Sequence, residues 1–179
     1  KIANYINQSY PEIFTIADAK RGDIGNTSKM YANAFLEELN FDSITVSPYM
    51  GSDSVEPFLS NEDKLVFLLT LTSNIGSNDF QELNLDDNKK LYQKVIETSK
   101  TWKNSSRIMY VVGAKNTKEI SKIRDMVPDS YLLIPGVGAQ GGNMAEICKQ
   151  GLDKNLKLII NSSRSIIYAS LKDDFAECA

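Results

Sequence analysis

Phe14-Thr15-Ile16-Ala17-Asp18-Ala19-Lys20 begins apolar and ends charged, and it runs on into Arg21-Gly22-Asp23-Ile24-Gly25-Asn26-Thr27. Side chains alternate along an extended chain, so a β-strand here puts Phe14, Ile16, Asp18 and Lys20 on one side. That side carries an apolar base topped by a carboxylate and an ammonium, and Asp23 follows in the loop. One reading is a satisfied ion pair with no chemistry. The other is a functional cluster at the carboxyl end of a strand. Burying charge without compensation costs several kcal/mol, which counts against the first reading in a strand that otherwise reads as buried.

Working outward, five more β-rich apolar runs recur at Ser43–Tyr49, Lys64–Thr72, Arg107–Ala114, Ser130–Gly136 and Leu156–Ser162. They show little polar alternation, the pattern of parallel strands covered on both faces. Helical periodicity fills the intervals. Thr27–Leu39 gathers Tyr31, Ala34, Phe35 and Leu39 on one face, and Asp86–Lys103 gathers Leu91, Val95, Ile96, Ser99 and Trp102. Asn116 with Glu119, and Asn143 with Glu146, read as capping boxes, and Gly151 as a helix stop. Residues 73–86 form the longest loop, a candidate active-site loop. The alternation predicts one α/β domain over residues 1–179, built on a parallel sheet. A doubly wound sheet and a (β/α)8 barrel both satisfy it. In a barrel the carboxyl ends of the strands carry the active site, where Asp18 and Lys20 fall.

The chain of 179 residues is 42% hydrophobic with a net charge of -3, so it can bury a core and offers no basic surface for nucleic acid. No apolar run reaches the length of a membrane span. Two cysteines, Cys148 and Cys178, make no disulfide framework, and a cytoplasmic location is expected. Cys148 reads as a small buried apolar residue. Histidine is absent, which removes Ser-His-Asp and Cys-His catalysis and His-ligated zinc together. Protons must move through Lys, Asp, Glu, Tyr or water.

The fifth run leads into Pro135-Gly136-Val137-Gly138-Ala139-Gln140-Gly141-Gly142, and the sixth into Asn161-Ser162-Ser163-Arg164. Glycines let backbone N–H groups approach an anion, and a guanidinium can fork onto a phosphate. Loops after the last two strands of a (β/α)8 barrel often form a phosphate site. Gly136, Gly138 and Gly141 also satisfy G-x-G-x-x-G. A dinucleotide site, however, wants an acidic residue at the end of the next strand, and that strand ends in Asn161 and Ser162.

Asp18-Ala19-Lys20-Arg21-Gly22-Asp23-Ile24-Gly25-Asn26-Thr27 resembles the D-x-K-x-x-D-I-x-N-T segment of orotidine 5'-phosphate decarboxylases. Thr72-Ser73-Asn74, Val111-Val112-Gly113-Ala114, Pro135–Gln140 and Asn161–Arg164 match later segments in the right order, in the wording of the longer bacterial form. The resemblance implies a (β/α)8 barrel of which this chain supplies about six βα units. The family has two more units ahead of the strand bearing Asp18, so a longer polypeptide is expected. It also implies a cofactor-free enzyme of pyrimidine biosynthesis that converts orotidylate to UMP, working as a homodimer with shared sites. Lys20 and Asp18 would serve their own subunit, with Lys20 stabilising and protonating the C6 carbanion. Asp23 and Thr27 would reach the neighbour's site. Ser73 would bind the pyrimidine edge, Pro135 would pack near the ring, Gln140 would bridge base and phosphate, and Arg164 would clamp the phosphate. No metal is expected. A metal-dependent sugar-phosphate lyase of the same superfamily and an inactive nucleotide-binding protein stand as alternatives.

Overall fold

The computed structural model describes residues 1–115, 117–137, 143–152 and 156–179. Asn116, the start of the first expected capping box, lies outside the described residues, as do Gly138, Ala139, Gln140, Gly141 and Gly142. All six expected strands form: β1 Ile16–Arg21, β2 Ser43–Val46, β3 Leu65–Leu71, β4 Ile108–Val112, β5 Leu132–Pro135 and β6 Leu158–Asn161. The sheet order is β1-β2-β3-β4-β5-β6, and β1–β2, β2–β3 and β5–β6 are parallel. A doubly wound sheet reverses direction at a switch point. This order never reverses, which removes that alternative. All four residues of β2 and all five of β4 are buried, which is why these strands read as unbroken apolar runs.

The chain divides into two compact units, Lys1–Thr70 with Gln93–Tyr110, and Leu71–Tyr92 with Val111–Ala179. In the first unit, α1 (Ile2–Ser9) leads into β1, and α2 (Gly25–Ala32) continues as a π-helical turn over Asn33–Glu38. The buried face of this helix differs from the expected one. Ser28, Ala32 and Leu36 are buried, whereas Tyr31 and Phe35 are half-covered and Leu39 is exposed. Tyr31 and Phe35 instead carry the Arg21 guanidinium at 5.2 and 5.6 Å from their ring centres. This cation–π seat fixes the chain where it leaves β1. The short α3 is Ser52–Val55.

The second unit holds α4 (Ser77–Phe80), α6 (Thr117–Met126), α7 (Met144–Gly151), α8 (Arg164–Ile167) and α9 (Phe175–Cys178), while α5 (Leu91–Ser99) starts in it. Asn143 caps α7 as expected, its side chain accepting from the Glu146 N–H. Gly151 ends α7, and a Cβ there would stand 2.9 Å from Ile120 and 3.1 Å from Leu158. The glycine thus lets α7 seat against α6 and β6. Arg124 of α6 is buried, with Nε on the Gly151 carbonyl, Nη1 on Ser130 and Nη2 on Lys157. It ties down the chain entering β6, and through it the loop that carries Arg164.

The expected face over Asp86–Lys103 holds in part: Ile96 and Ser99 are buried, whereas Leu91, Val95 and Trp102 are half-covered and Tyr92 is added. The Tyr92 hydroxyl donates to Glu119. A buried phenol needs such a partner. For Glu119, burial alone raises the carboxyl pKa. Hydrogen bonds from Tyr92 and Lys122, with the charges of Lys122 and Lys90, outweigh it and hold the carboxyl below its ordinary 4.5. A lowered folded pKa contributes stability above the unfolded value, and that stability is lost as pH falls through the folded one. Glu119→Gln should therefore flatten the rise of unfolding free energy with pH below about 4.5. Denaturant titrations across that range check it, and an unchanged slope would refute it.

Candidate active site

β1 departs from regular pairing where its charges lie. Ala17 pairs with Ile44 and Arg21 with Val46, so the register shifts across residues 18–20. Bulges of this kind re-aim side chains. Lys20 takes φ +47, a left-handed conformation that costs a non-glycine residue about 1–2 kcal/mol. Thr45 of β2 holds the bulge: its hydroxyl accepts from the Lys20 N–H at 2.8 Å and donates to Asp18 Oδ1 at 3.0 Å. The Lys20 ammonium lies 2.5 Å from the same Oδ1.

The side chains of Lys20 and Asp18 are 52% and 64% exposed. The strand is therefore open on the side of its charges, contrary to the expectation of two covered faces. An exposed pair adds little to stability. Strained backbone, a dedicated threonine and a weakly stabilising ion pair together fit a site better than a structural clamp. Asp23 stays out of this pair, its carboxylate accepting from the Ile24 N–H at 2.8 Å. Thr27 is exposed in the first turn of α2. Thr45 was not singled out from sequence, although a threonine inside an apolar strand beside β1 was the available signal.

In the second unit, β5 and β6 run in register and end together, Pro135 opposite Asn161. The segments leaving them therefore emerge side by side, and residues 135–137 and 161–165 line a cavity of about 150 Å³. Gly136 turns there at φ +88, a conformation that favours glycine. The Ser162 and Ser165 hydroxyls meet at 2.5 Å, closing the turn that carries Arg164. Arg164 is exposed and its guanidinium pairs with no described carboxylate, which leaves its fork open to an anion. Pro135 and Arg164 thus line one cavity. Gln140, expected to bridge base and phosphate, lies outside the described residues.

Ser73 follows β3 in the same unit, half-buried. A Cβ on Gly113 would stand 2.5 Å from the Ser73 nitrogen and 2.8 Å from its Cβ, so the serine backbone rests directly on that glycine. Among the described residues, no group of three or more His, Cys, Asp or Glu could hold a metal ion, and no helix is long and apolar enough to cross a membrane. Cys148 is half-buried, less covered than expected.

Sequentially ordered βα units whose strand ends carry a Lys-Asp pair and an arginine-glycine cavity place the fold in the (β/α)8 barrel class, with six units supplied by this chain. Over residues 1–177 it matches the orotidine 5'-phosphate decarboxylase / HUMPS family, and the chain belongs to that family. The orotidine 5'-phosphate decarboxylase of Flavobacterium johnsoniae is 62% identical over the whole chain, which spans 65% of that relative. The structure of Leishmania donovani UMP synthase superposes with a TM-score of 0.87 at 38% identity, covering 98% of this chain and 39% of that one. Plasmodium berghei orotidine 5'-monophosphate decarboxylase gives 0.85 at 30% identity, covering 99% and 56%. The chain therefore spans just under two thirds of the curated relative and less of these structures.

Proposed function

We propose that the polypeptide carrying this chain decarboxylates orotidine 5'-phosphate to UMP without a cofactor, in pyrimidine biosynthesis in the cytoplasm. The observation that carries this reading is the Lys20–Asp18 pair on the bulged end of β1. Membership of the family supports it.

When the C6–carboxylate bond breaks, carbon dioxide leaves and the electron pair stays on C6. The Lys20 ammonium faces that developing charge and lowers the barrier electrostatically. It then gives a proton to C6, acting as general acid, and recovers one from solvent. Asp18 keeps Lys20 charged and aimed, and Thr45 holds both. Ser73 reads the pyrimidine edge, Pro135 packs near the ring, and Gln140 and Arg164 hold the phosphate. Binding energy from that remote group supports the reacting geometry. The same reading has two copies forming a homodimer, each lending Asp23 and Thr27 to the other's site. Asp23 is left unclaimed by the Lys20 of its own chain, which suits that role.

The test is UMP and carbon dioxide formation from orotidylate, with and without EDTA. Equal conversion in both arms is expected. A magnesium requirement would favour a metal-dependent sugar-phosphate lyase, and absence of UMP would overturn the reading.

A further inference from the structure

The loop after β3 is closed by one side chain. Gln81, just beyond α4, reaches back nine residues to Thr72. Its Oε1 accepts from the Thr72 N–H at 2.7 Å, and its Nε2 donates to the Thr72 hydroxyl at 3.0 Å. That hydroxyl approaches Asn74 Oδ1 at 2.5 Å. The chain runs from Gln81 through Thr72 to Asn74, so Ser73 is bracketed by the two residues it holds. The glutamine is itself fixed at both ends of its backbone, its N–H on the Ser77 carbonyl and its carbonyl on the Tyr92 N–H. Below Ser73 lies Gly113, at a distance that leaves no room for a side chain.

We propose that Gln81 is a positioning residue for recognition of the pyrimidine, acting through Thr72 to set the height and orientation of Ser73 over Gly113. The inference rests on the reading above, in which Ser73 binds the base. Two contacts from one amide, to the Thr72 N–H and to its hydroxyl, fix both the backbone and the side chain of Thr72, which a single hydrogen bond does not. The next peptide is that of Ser73. The base-binding hydroxyl is thus set by a residue that never touches the nucleotide, while the phosphate cavity of residues 135–137 and 161–165 has its own supports.

Two variants separate positioning from bulk stability. Gln81→Met keeps the length and removes both hydrogen bonds, and Gln81→Glu keeps the acceptor for the Thr72 N–H. Affinity is measured for UMP and for ribose 5-phosphate, which lacks the base. The expected result is about a tenfold loss of UMP affinity in Gln81→Met, the effect of about 1.4 kcal/mol. Ribose 5-phosphate should bind as before, and Gln81→Glu should restore most of the UMP affinity. In a Ser73→Ala background, Gln81→Met should add little. Equal weakening of both ligands, or no change in either, would overturn the inference while leaving the decarboxylase reading intact. Failure of the unsubstituted protein to bind UMP would overturn both.

Discussion

Arg164→Ala should weaken UMP binding by roughly 2–5 kcal/mol, the cost of leaving a desolvated charge without its hydrogen-bonded partner. At 1.4 kcal/mol per factor of ten, that is a loss of about thirtyfold to several thousandfold. Uridine, which has no phosphate, should bind with nearly unchanged affinity. The basis is local. Arg164 is exposed, pairs with no described carboxylate, and stands on a cavity whose walls are the paired ends of β5 and β6. Its removal leaves no buried group unsatisfied in the free protein, so thermal stability should stay within about 0.5 kcal/mol. Equal weakening of UMP and uridine would make Arg164 a structural residue, and the cavity would lose its assignment to phosphate.

The strands were legible because parallel strands covered on both faces need unbroken apolar runs, and little else in a chain of this length does. Each run overshot at one or both ends: Ser43–Tyr49 shortened to Ser43–Val46, and Ser130–Gly136 to Leu132–Pro135. Residues flanking a strand satisfy the hydropathy pattern without a partner in the ladder. Helix existence was legible and helix facing less so. The buried Ser28, Ala32 and Leu36 sit at i, i+4 and i+8, a regular helical spacing, but the larger apolar side chains Tyr31 and Phe35 one position earlier drew the expected face towards themselves, and they carry the Arg21 guanidinium instead. In α5 the buried face includes Tyr92, a polar-tipped residue that pattern counting leaves outside because its partner, Glu119, lies far along the chain.

For the candidate site, alternation along β1 put Asp18 and Lys20 on one side, and the structure has them in contact. The bulge and the left-handed Lys20 had no signature in the sequence, because no glycine or asparagine marks the position. Pro135 and Arg164 were legible as strand endings, and the in-register pairing of β5 with β6 brings them together. Gln81 was not legible at all. A glutamine in a polar loop has no pattern, and its meaning arises only when the loop folds back onto Thr72.

In Lys20→Ala the decarboxylation should nearly stop, because in the proposed reaction that one ammonium both stabilises the C6 charge and delivers the proton. General acid catalysis is worth about 10² to 10⁴, and a lost electrostatic contact to a developing charge about 10² to 10³. The two act through one group here, so the decarboxylation rate should fall roughly 10⁴-fold or more. The alanine inherits the same left-handed backbone and removes only an exposed ion pair, so the protein should remain folded and still bind UMP. The measurement is single-turnover conversion of orotidylate alongside UMP affinity, in the polypeptide that carries this chain. Conversion nearly abolished with UMP binding retained is the predicted result. A variant that keeps more than a few per cent of the unsubstituted rate would contradict it.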